Sequence, residues 1–233
     1  MARAAPPGGT PTGDEGLAAV IFDLDGVLTD TAEYHYLGWK RLADEMGWAF
    51  DREQNEQLRG VSRMDSLDLI LGDRELPEDE KVELASRKNR YYVESLEQVT
   101  PDDLLPGARE LVTACREAGL RLAIGSSSRN ARTVLDKLGI TGLFDAISDG
   151  NAVERAKPAP DLFLHAAGEL DVDARRCAVI EDAASGVEAA RAAGMLAVGV
   201  GPAERVGAAH LRYDTVADVR LEELLAAARP RAD

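Results

Sequence analysis

Leu17 to Phe22 read LAAVIF, a short continuous apolar run, after which the chain breaks abruptly into DLDGVLTD, Asp23 to Asp30. A run of this length and composition reads as a strand buried on both faces, the kind that parallel sheets contain. Similar runs recur as RLAIG (Arg121 to Gly125), FDAIS (Phe144 to Ser148), CAVIE (Cys177 to Glu181) and LAVGV (Leu196 to Val200). Helical patterns alternate with them: GARELVTACREAG, NARTVLDKLG, PDLFLHAAGEL and SGVEAARAAG, most stopped by a glycine suited to a C-cap. Strands alternating with helices of this length predict βαβ units, hence an α/β fold with a parallel sheet and helices on both faces.

The region 31–100 breaks that rhythm. It is rich in helix formers with amphipathic spacing (EYHYLGWKRLADEMGW, VELASRKNRYYVESLEQV) and contains no convincing strand. Helices this numerous need an apolar core of their own, so the block reads as a helical cap domain inserted after the first strand. The expected division is a disordered tail over 1–16, a core from 17–30 and 101–233, and the cap from 31–100. A decorated single domain is the plainer alternative.

The 233 residues fit one domain with an insertion at about 150 residues per domain. Composition, at 45% hydrophobic and 30% charged, excludes wholesale disorder. A net charge of −15 repels phosphate backbones, so nucleic acid is not an expected partner. An anionic ligand must then be held by a few placed cations. Cys115 and Cys177 both lie in apolar stretches, which predicts buried thiols in a reducing compartment rather than a disulfide framework. No stretch reaches the roughly 20 apolar residues of a membrane span, and MARAAPPGGTPTGDEG lacks the apolar segment of a secretory signal. A cytoplasmic location is expected.

In open parallel sheets, ligands sit beyond the carboxyl ends of the strands. The residues just past each predicted strand therefore locate the chemistry: Asp23 and Asp25 after the first, Ser126, Ser127 and Ser128 after the second, then Lys157 and the pair Glu181-Asp182. Oxygen ligands, hydroxyls and a single lysine at one mouth suit Mg²⁺ and a phosphoryl group. Two residues apart at a strand end, Asp23 and Asp25 would be aimed the same way by the pleat. A metal on one and a raised pKa on the other would separate them into nucleophile and proton shuttle. Read alone, DLDG could be an ordinary turn. Lys157, preceding Pro158, is biased to extended backbone and supplies a compact positive charge. Ser128-Arg129-Asn130 opens a helix whose N-terminal amides favour anions; Ser128 could equally be a plain N-cap. His35, His165 and His210 lack metal-ligand spacing, and His165 reads as a helix-surface residue.

FDLDGVLTD, GSSSRN, AKPAP and IEDAASG resemble the four motifs of the haloacid dehalogenase superfamily, and the helical insertion resembles its C1-type cap. TAEYHYLGWKRLA, NEQLRGVSRMDSL and RKNRYYV are similar to cap segments of the β-phosphoglucomutase family within it. The resemblance runs from about Leu17 to the C-terminus. It implies a Rossmann-like core, one Mg²⁺, an aspartyl-phosphate, and interconversion of β-glucose 1-phosphate and glucose 6-phosphate with β-glucose 1,6-bisphosphate as intermediate and activator. It further implies Asp23 as nucleophile and Asp25 as general acid/base. Asp23, the Asp25 carbonyl and Asp182 would be metal ligands, with Glu181 at or beside the metal. Ser126 and Lys157 would surround the transferring phosphoryl; Arg63, Ser128 and Asn130 the other phosphate. Thr31 and His35 would sit at the hinge, and Gly60, Ser66 and Lys88 would face the sugar.

Three positions depart from one similar member of the family, which has Lys at Arg59, Ala at Ser127 and Lys at Arg129. Arg for Lys turns a point donor into a planar fork, which could re-space sugar contacts. Ser127 is expected to act through its backbone amide, its hydroxyl mattering little. A mutase must hold a sugar bisphosphate, and Arg63 facing Ser128-Arg129-Asn130 offers a second anion site that a simple phosphatase does not need. A sugar-phosphate phosphatase is the rival enzyme. A phospho-accepting receiver fits poorly, since receivers carry the phosphorylated Asp on a later strand and lack so large an insertion. The expected partners are small sugar phosphates, and a monomer is expected.

Overall fold

A computed structural model of the chain describes residues 16–228. The tail expected over 1–16 lies, apart from Gly16, outside the described residues. Six strands form one parallel sheet in the order β3-β2-β1-β4-β5-β6, where β1 is Ala19–Phe22, β2 Arg121–Gly125, β3 Ala146–Ser148, β4 Cys177–Glu181, β5 Leu196–Val200 and β6 Leu211–Tyr213. This is the Rossmann order, with its switch point where the connections reverse direction beside β1. All four residues of β1 are buried, as a central strand covered on both faces requires.

Successive side chains leave opposite faces of a strand, so β1 feeds two cores. Val20 and Phe22 join a cluster with α5 (Ala108–Glu117), α6 (Ala131–Leu138) and α10 (Leu221–Ala227); Ala19 and Ile21 join one with α7 (Asp161–Glu169), α8 (Ala184–Ala192) and α9 (Ala203–Val206). Cys115 and Cys177 are buried free thiols, one in each core.

Between β1 and β2 the chain forms α1 (Ala32–Met46), α2 (Arg52–Glu56), α3 (Arg63–Leu71) and α4 (Glu78–Ser95), with no strand. Trp39, Leu42, Phe50, Leu67, Leu71 and Leu84 make a third apolar cluster, confined to these helices and their connections. The far end of α4 leaves that cluster, and Tyr92, Leu96 and Val99 pack into the sheet core instead. The inserted block is thus anchored at its end while its middle folds on itself.

Two details differ from expectation. No apolar run marks β6, because it is three residues long, half exposed, and carries Arg212 at its centre. Asp25 is not aimed by the strand's pleat. β1 stops at Phe22, and Asp25 stands in a turn closed by Gly26 N to Thr29 O at 2.7 Å and Leu28 N to Leu24 O at 2.9 Å.

Candidate active site

Register decides which side chains meet. Phe22 is level with Ile124 on β2 and with Ile180 on β4, so Asp23, Gly125 and Glu181 leave the sheet together. Ser126 and Asp182 come one residue later. Above these strand ends lies a cavity of about 630 Å³ whose roof is the inserted block. From the sheet side it is lined by Asp23, Asp25, Ser126, Ser127, Ser128, Arg129 and Asp182. From the block come His35, Arg59, Gly60, Arg63, Ser66 and Lys88. Thr31, Asn130, Lys157 and Glu181 do not line it. They stand one layer behind and hold residues that do, or that neighbour them.

At the floor, Lys157 Nζ donates to Asp23 Oδ1 at 2.6 Å and Glu181 Oε1 at 3.3 Å. Its side chain is wholly buried. Burial alone would strip the charge from this lysine, but the carboxylates of Asp23 and Glu181 outweigh it and hold the pKa above the usual lysine value. The Lys157–Pro158 peptide is cis. Glu181 Oε2 accepts from the Asp182 amide at 3.1 Å, so both its oxygens are engaged inside the protein.

Asp23, Glu181 and Asp182 each offer an oxygen within 4.8 Å of the others, all three side chains being buried. Burial and the charge of Asp23 raise Glu181 well above the carboxylate range and Asp182 to about 6. Lys157 serves Asp23 and Glu181, Asp182 faces Arg59 and Arg205, and every oxygen of the set is a hard donor. That set fits Mg²⁺, which prefers carboxylate and water oxygens. Gly26 closes the floor: its φ is +81°, and a Cβ there would sit 2.4 Å from the Asp182 carboxylate.

Asp25 is separated from this cluster by its own partner, accepting a hydrogen bond from Thr31 Oγ1. Burial, then the charge of Asp23, lift Asp25 from 3.8 to about 7, with the Thr31 bond opposing the rise. Thr31 is the N-cap of α1 but makes no side-chain cap, because its hydroxyl serves Asp25. Tyr92 OH donates to Thr31 Oγ1 at 3.3 Å, which ties this pair to the end of α4. Two neighbouring carboxyls thus acquire different environments: one ion-paired, one proton-holding.

In the roof, Lys88 Nζ and His35 Nδ1 share a hydrogen bond of 2.7 Å. His35 stacks on Tyr92 at 4.0 Å, and Trp39 and Tyr92 face the ammonium at 4.9 and 5.0 Å. Among the described residues, no carboxylate pairs with Lys88. Burial, then Arg63, push its pKa well below the usual value, and burial with Lys88 does the same to His35. Such a lysine is a cost to folding that a polar ligand would offset. Lys88→Met should therefore raise the melting temperature by about 2–4 °C, as a gain of about 1 kcal/mol does in a chain of this size. The same change should cut kcat/KM by about 10²-fold if the cavity it lines takes the substrate, the size of one charged hydrogen bond. Thermal melts and steady-state kinetics on one preparation check both; a destabilised protein would show the lysine to be structural.

Across the cleft, Ser126 is buried and its Oγ accepts from Ser128 N at 3.1 Å. Asn130 is the N-cap of α6, without a side-chain cap; Ser128 Oγ instead accepts from Asn130 N at 3.2 Å, which stiffens the turn. Arg63 opens α3 opposite Arg129, and Arg129 pushes the Arg63 pKa down after burial does. Neither guanidinium pairs with a carboxylate among the described residues. Contrary to expectation, the Ser127 hydroxyl has a role: it donates to the Gly60 carbonyl at 3.0 Å, joining sheet to block. Gly60 has φ +70°, and a Cβ there would sit 2.7 Å from Ser185 Oγ, so the block rests directly on the start of α8.

Sequence reasoning missed several groups. Asn89 Oδ1 accepts from Asn130 Nδ2 at 2.8 Å, a second hydrogen bond from the block to the second strand-end loop. Tyr92 lies one helical turn from Lys88, a spacing that could have exposed it. Glu56 and Arg205 meet only in three dimensions. His165 is exposed on α7 as expected, its Nδ1 hydrogen-bonded to Ser148 Oγ at 2.8 Å.

Residues 17–194 match the family model of haloacid dehalogenase-like hydrolases. The chain belongs to that family. Among the haloacid dehalogenase-like proteins it is a homologue of the β-phosphoglucomutases. It is 45% identical over 212 residues to the β-phosphoglucomutase of Bacillus subtilis, covering 89% of this chain and 94% of that one. The structure of β-phosphoglucomutase from Clostridium difficile superposes with a TM-score of 0.88 at 40% identity, covering 91% of this chain and 97% of the other. A phosphorylated carbohydrates phosphatase of Thermotoga maritima is 31% identical, with 90% and 97% covered. Both reactions therefore occur on relatives of similar length.

Proposed function

We propose that the chain is a β-phosphoglucomutase, interconverting β-D-glucose 1-phosphate and glucose 6-phosphate. One observation favours this over a sugar-phosphate phosphatase: Arg63 and Arg129 face each other across the cavity, and neither pairs with a carboxylate among the described residues, in a chain of net charge −15. Bidentate donors of this kind suit a second phosphate group, held while the first is transferred. The identity to the Bacillus subtilis mutase supports the same reading.

In the proposed cycle, the phosphoryl group resides on an Asp23 oxygen. Asp25 takes the proton from the 6-hydroxyl of β-glucose 1-phosphate as that oxygen attacks phosphorus and the bond to Asp23 breaks. β-Glucose 1,6-bisphosphate results, and it serves also as the activator that loads a free Asp23. The bisphosphate turns in the cleft, with Arg63, Ser128 and Arg129 exchanging one phosphate for the other while Asn130 holds Ser128 from behind. Asp23 then attacks the phosphoryl on the anomeric oxygen, and Asp25 returns its proton to the leaving oxygen. A pKa of about 7 suits a group that must serve in both directions. The Ser126 hydroxyl binds an equatorial oxygen, and Lys157, one layer behind, neutralises charge through its hydrogen bond to Asp23. Asp23, the Asp25 carbonyl and Asp182 would hold Mg²⁺, with Glu181 beside it; when bound, the ion adds positive charge at those oxygens.

Residues 31–100 act in this reading as the cap, with Thr31 and His35 at its hinge and Arg59, Gly60, Ser66 and Lys88 over the sugar. Closure excludes water, which would hydrolyse the phosphoenzyme. No described helix is long and apolar enough to cross a membrane. Soluble sugar phosphates are the proposed partners. Two free thiols support a reducing cytoplasm, and a cavity complete within one chain supports a monomer.

Phosphorus NMR of β-glucose 1-phosphate with Mg²⁺ and a trace of bisphosphate tests the reaction: glucose 6-phosphate should dominate over inorganic phosphate. Arg63→Ala should lower mutase kcat/KM by about 10²-fold or more while acetyl phosphate hydrolysis changes less than about threefold. Equal losses in the two assays would remove the second-site argument.

A further inference from the structure

Four charged side chains close into a ring; Asp182 and Arg59 have a place in the proposed function, and Glu56 and Arg205 have none. Arg59 Nε meets Glu56 Oε2 at 2.8 Å, and its Nη1 meets Asp182 Oδ2 at 3.4 Å. Arg205 on α9 reaches the same two carboxylates, with Nη2 at 3.6 Å from Asp182 Oδ2 and Nη1 at 3.7 Å from Glu56 Oε2. Signs alternate around the ring. Glu56 and Arg59 belong to the inserted block; Asp182 and Arg205 belong to the sheet layer. Among the described residues the buried Arg205 Nε has no hydrogen-bond partner, and the charged groups its side chain reaches are Asp182 and Glu56.

We infer that Arg205 is a positioning residue that competes with a divalent cation for Asp182, and that the ring thereby couples cation binding to closure of the inserted block. Both guanidinium groups address one oxygen of a carboxylate that is 5% exposed. A cation of charge +2 on that carboxylate meets two positive charges within a few ångströms, where repulsion is weakly screened. Either the arginines withdraw or the cation binds less tightly. Arg59 travels with the block, so its withdrawal loosens the block's hold on the sheet at Asp182. Linkage makes the effect reciprocal: what the closed ring takes from cation affinity, the cation takes from closure. Arg205 lies outside the four sequence motifs, and no spacing rule marks it.

Isothermal titration with MgCl₂, without substrate, reads the competition directly. Arg205→Met should bind Mg²⁺ about fivefold more tightly than the parent chain, the low end of common site-to-site coupling. Glu56→Gln should shift affinity the other way by a few-fold, because both arginines then turn wholly to Asp182. Glu56 is 55% exposed, so this variant keeps the fold even if Arg205→Met does not. Hydrogen exchange at the amides of Leu58 to Val61 should quicken on adding Mg²⁺ to the parent chain and respond less in Arg205→Met. Unchanged affinity in both variants, or weaker binding in Arg205→Met, would overturn the competition and make Arg205 an ordinary brace for a metal ligand. Exchange that ignores Mg²⁺ would overturn the coupling to the block. The inference needs only a divalent cation at Asp182; a phosphatase would show it as well as a mutase. Its failure would leave the proposed reaction standing, whereas a parent chain that binds no Mg²⁺ would remove both.

Discussion

Asp23→Asn is expected to reduce mutase turnover by about 10⁶-fold, the scale of losing a covalent nucleophile, while leaving the melting temperature within a few degrees of the parent. Asn is isosteric, so the packing of β1 is undisturbed. The amide removes one of three crowded carboxylates, which relieves Glu181 and Asp182, but it also takes from Lys157 its shorter ion pair. These effects oppose each other, and the fold should persist. Chemistry should not, because an amide oxygen cannot accept a phosphoryl group and release it. Phosphate-ester barriers are so high that positioning alone leaves little observable rate. The measurement is a coupled glucose 6-phosphate assay beside a thermal melt. Mass spectrometry after exposure to acetyl phosphate should find one added PO₃ on the peptide holding Asp23 in the parent chain and none in the variant. Residual turnover within 10²-fold of the parent would rule out Asp23 as the acceptor.

Lys157→Met should be the most destabilising single change in the site. Lysine here is buried and counters two carboxylates at 2.6 and 3.3 Å. Removing one partner of a buried ion pair costs about 3–5 kcal/mol, because the other charges remain and have lost their compensation. For a chain of this size that corresponds to a melting temperature lower by about 10 °C. Activity should fall at least 10³-fold, since the same ammonium is proposed to neutralise the nucleophilic carboxylate and the charge carried onto it. Millimolar Mg²⁺ should restore more melting temperature to this variant than it adds to the parent, by binding native carboxylates that the lysine no longer neutralises. A variant melting like the parent would show that Lys157 does not balance the charge of Asp23 and Glu181.

Much of the site is legible at the strand ends. In a parallel sheet every strand points the same way, so the residues after each apolar run must collect at one edge, and Asp23, Ser126 and Asp182 do so without further information. Lys157 is readable for its chemistry but not its depth; only packing against Phe163, 4.8 Å from the ammonium to the ring centre, shows it to be enclosed. Asp25 reaches the expected cavity by a different cause, since the turn at Gly26 and Thr29 sets its direction rather than the strand. Ser127 shows the limit of substitution reasoning. Its hydroxyl is incidental when compared only with an alanine, yet it reaches the Gly60 carbonyl of a segment remote in sequence.

What the amino-acid sequence determined by itself was whatever depends on local periodicity and composition. Apolar runs define the strands, amphipathic spacing defines the helices, and acidic and hydroxyl residues at the run ends define the class of chemistry. These signals act over a few residues, so they survive in one dimension. Tertiary structure alone decided the protonation of Asp25, the pairing of Lys88 with His35, the facing of Arg63 and Arg129, and the ring through Arg205. Each of those depends on burial and on charges brought close by chain segments that sequence order keeps apart. Electrostatic interactions scale with distance in space and with the loss of water, and neither quantity exists until the helical block has settled over the sheet.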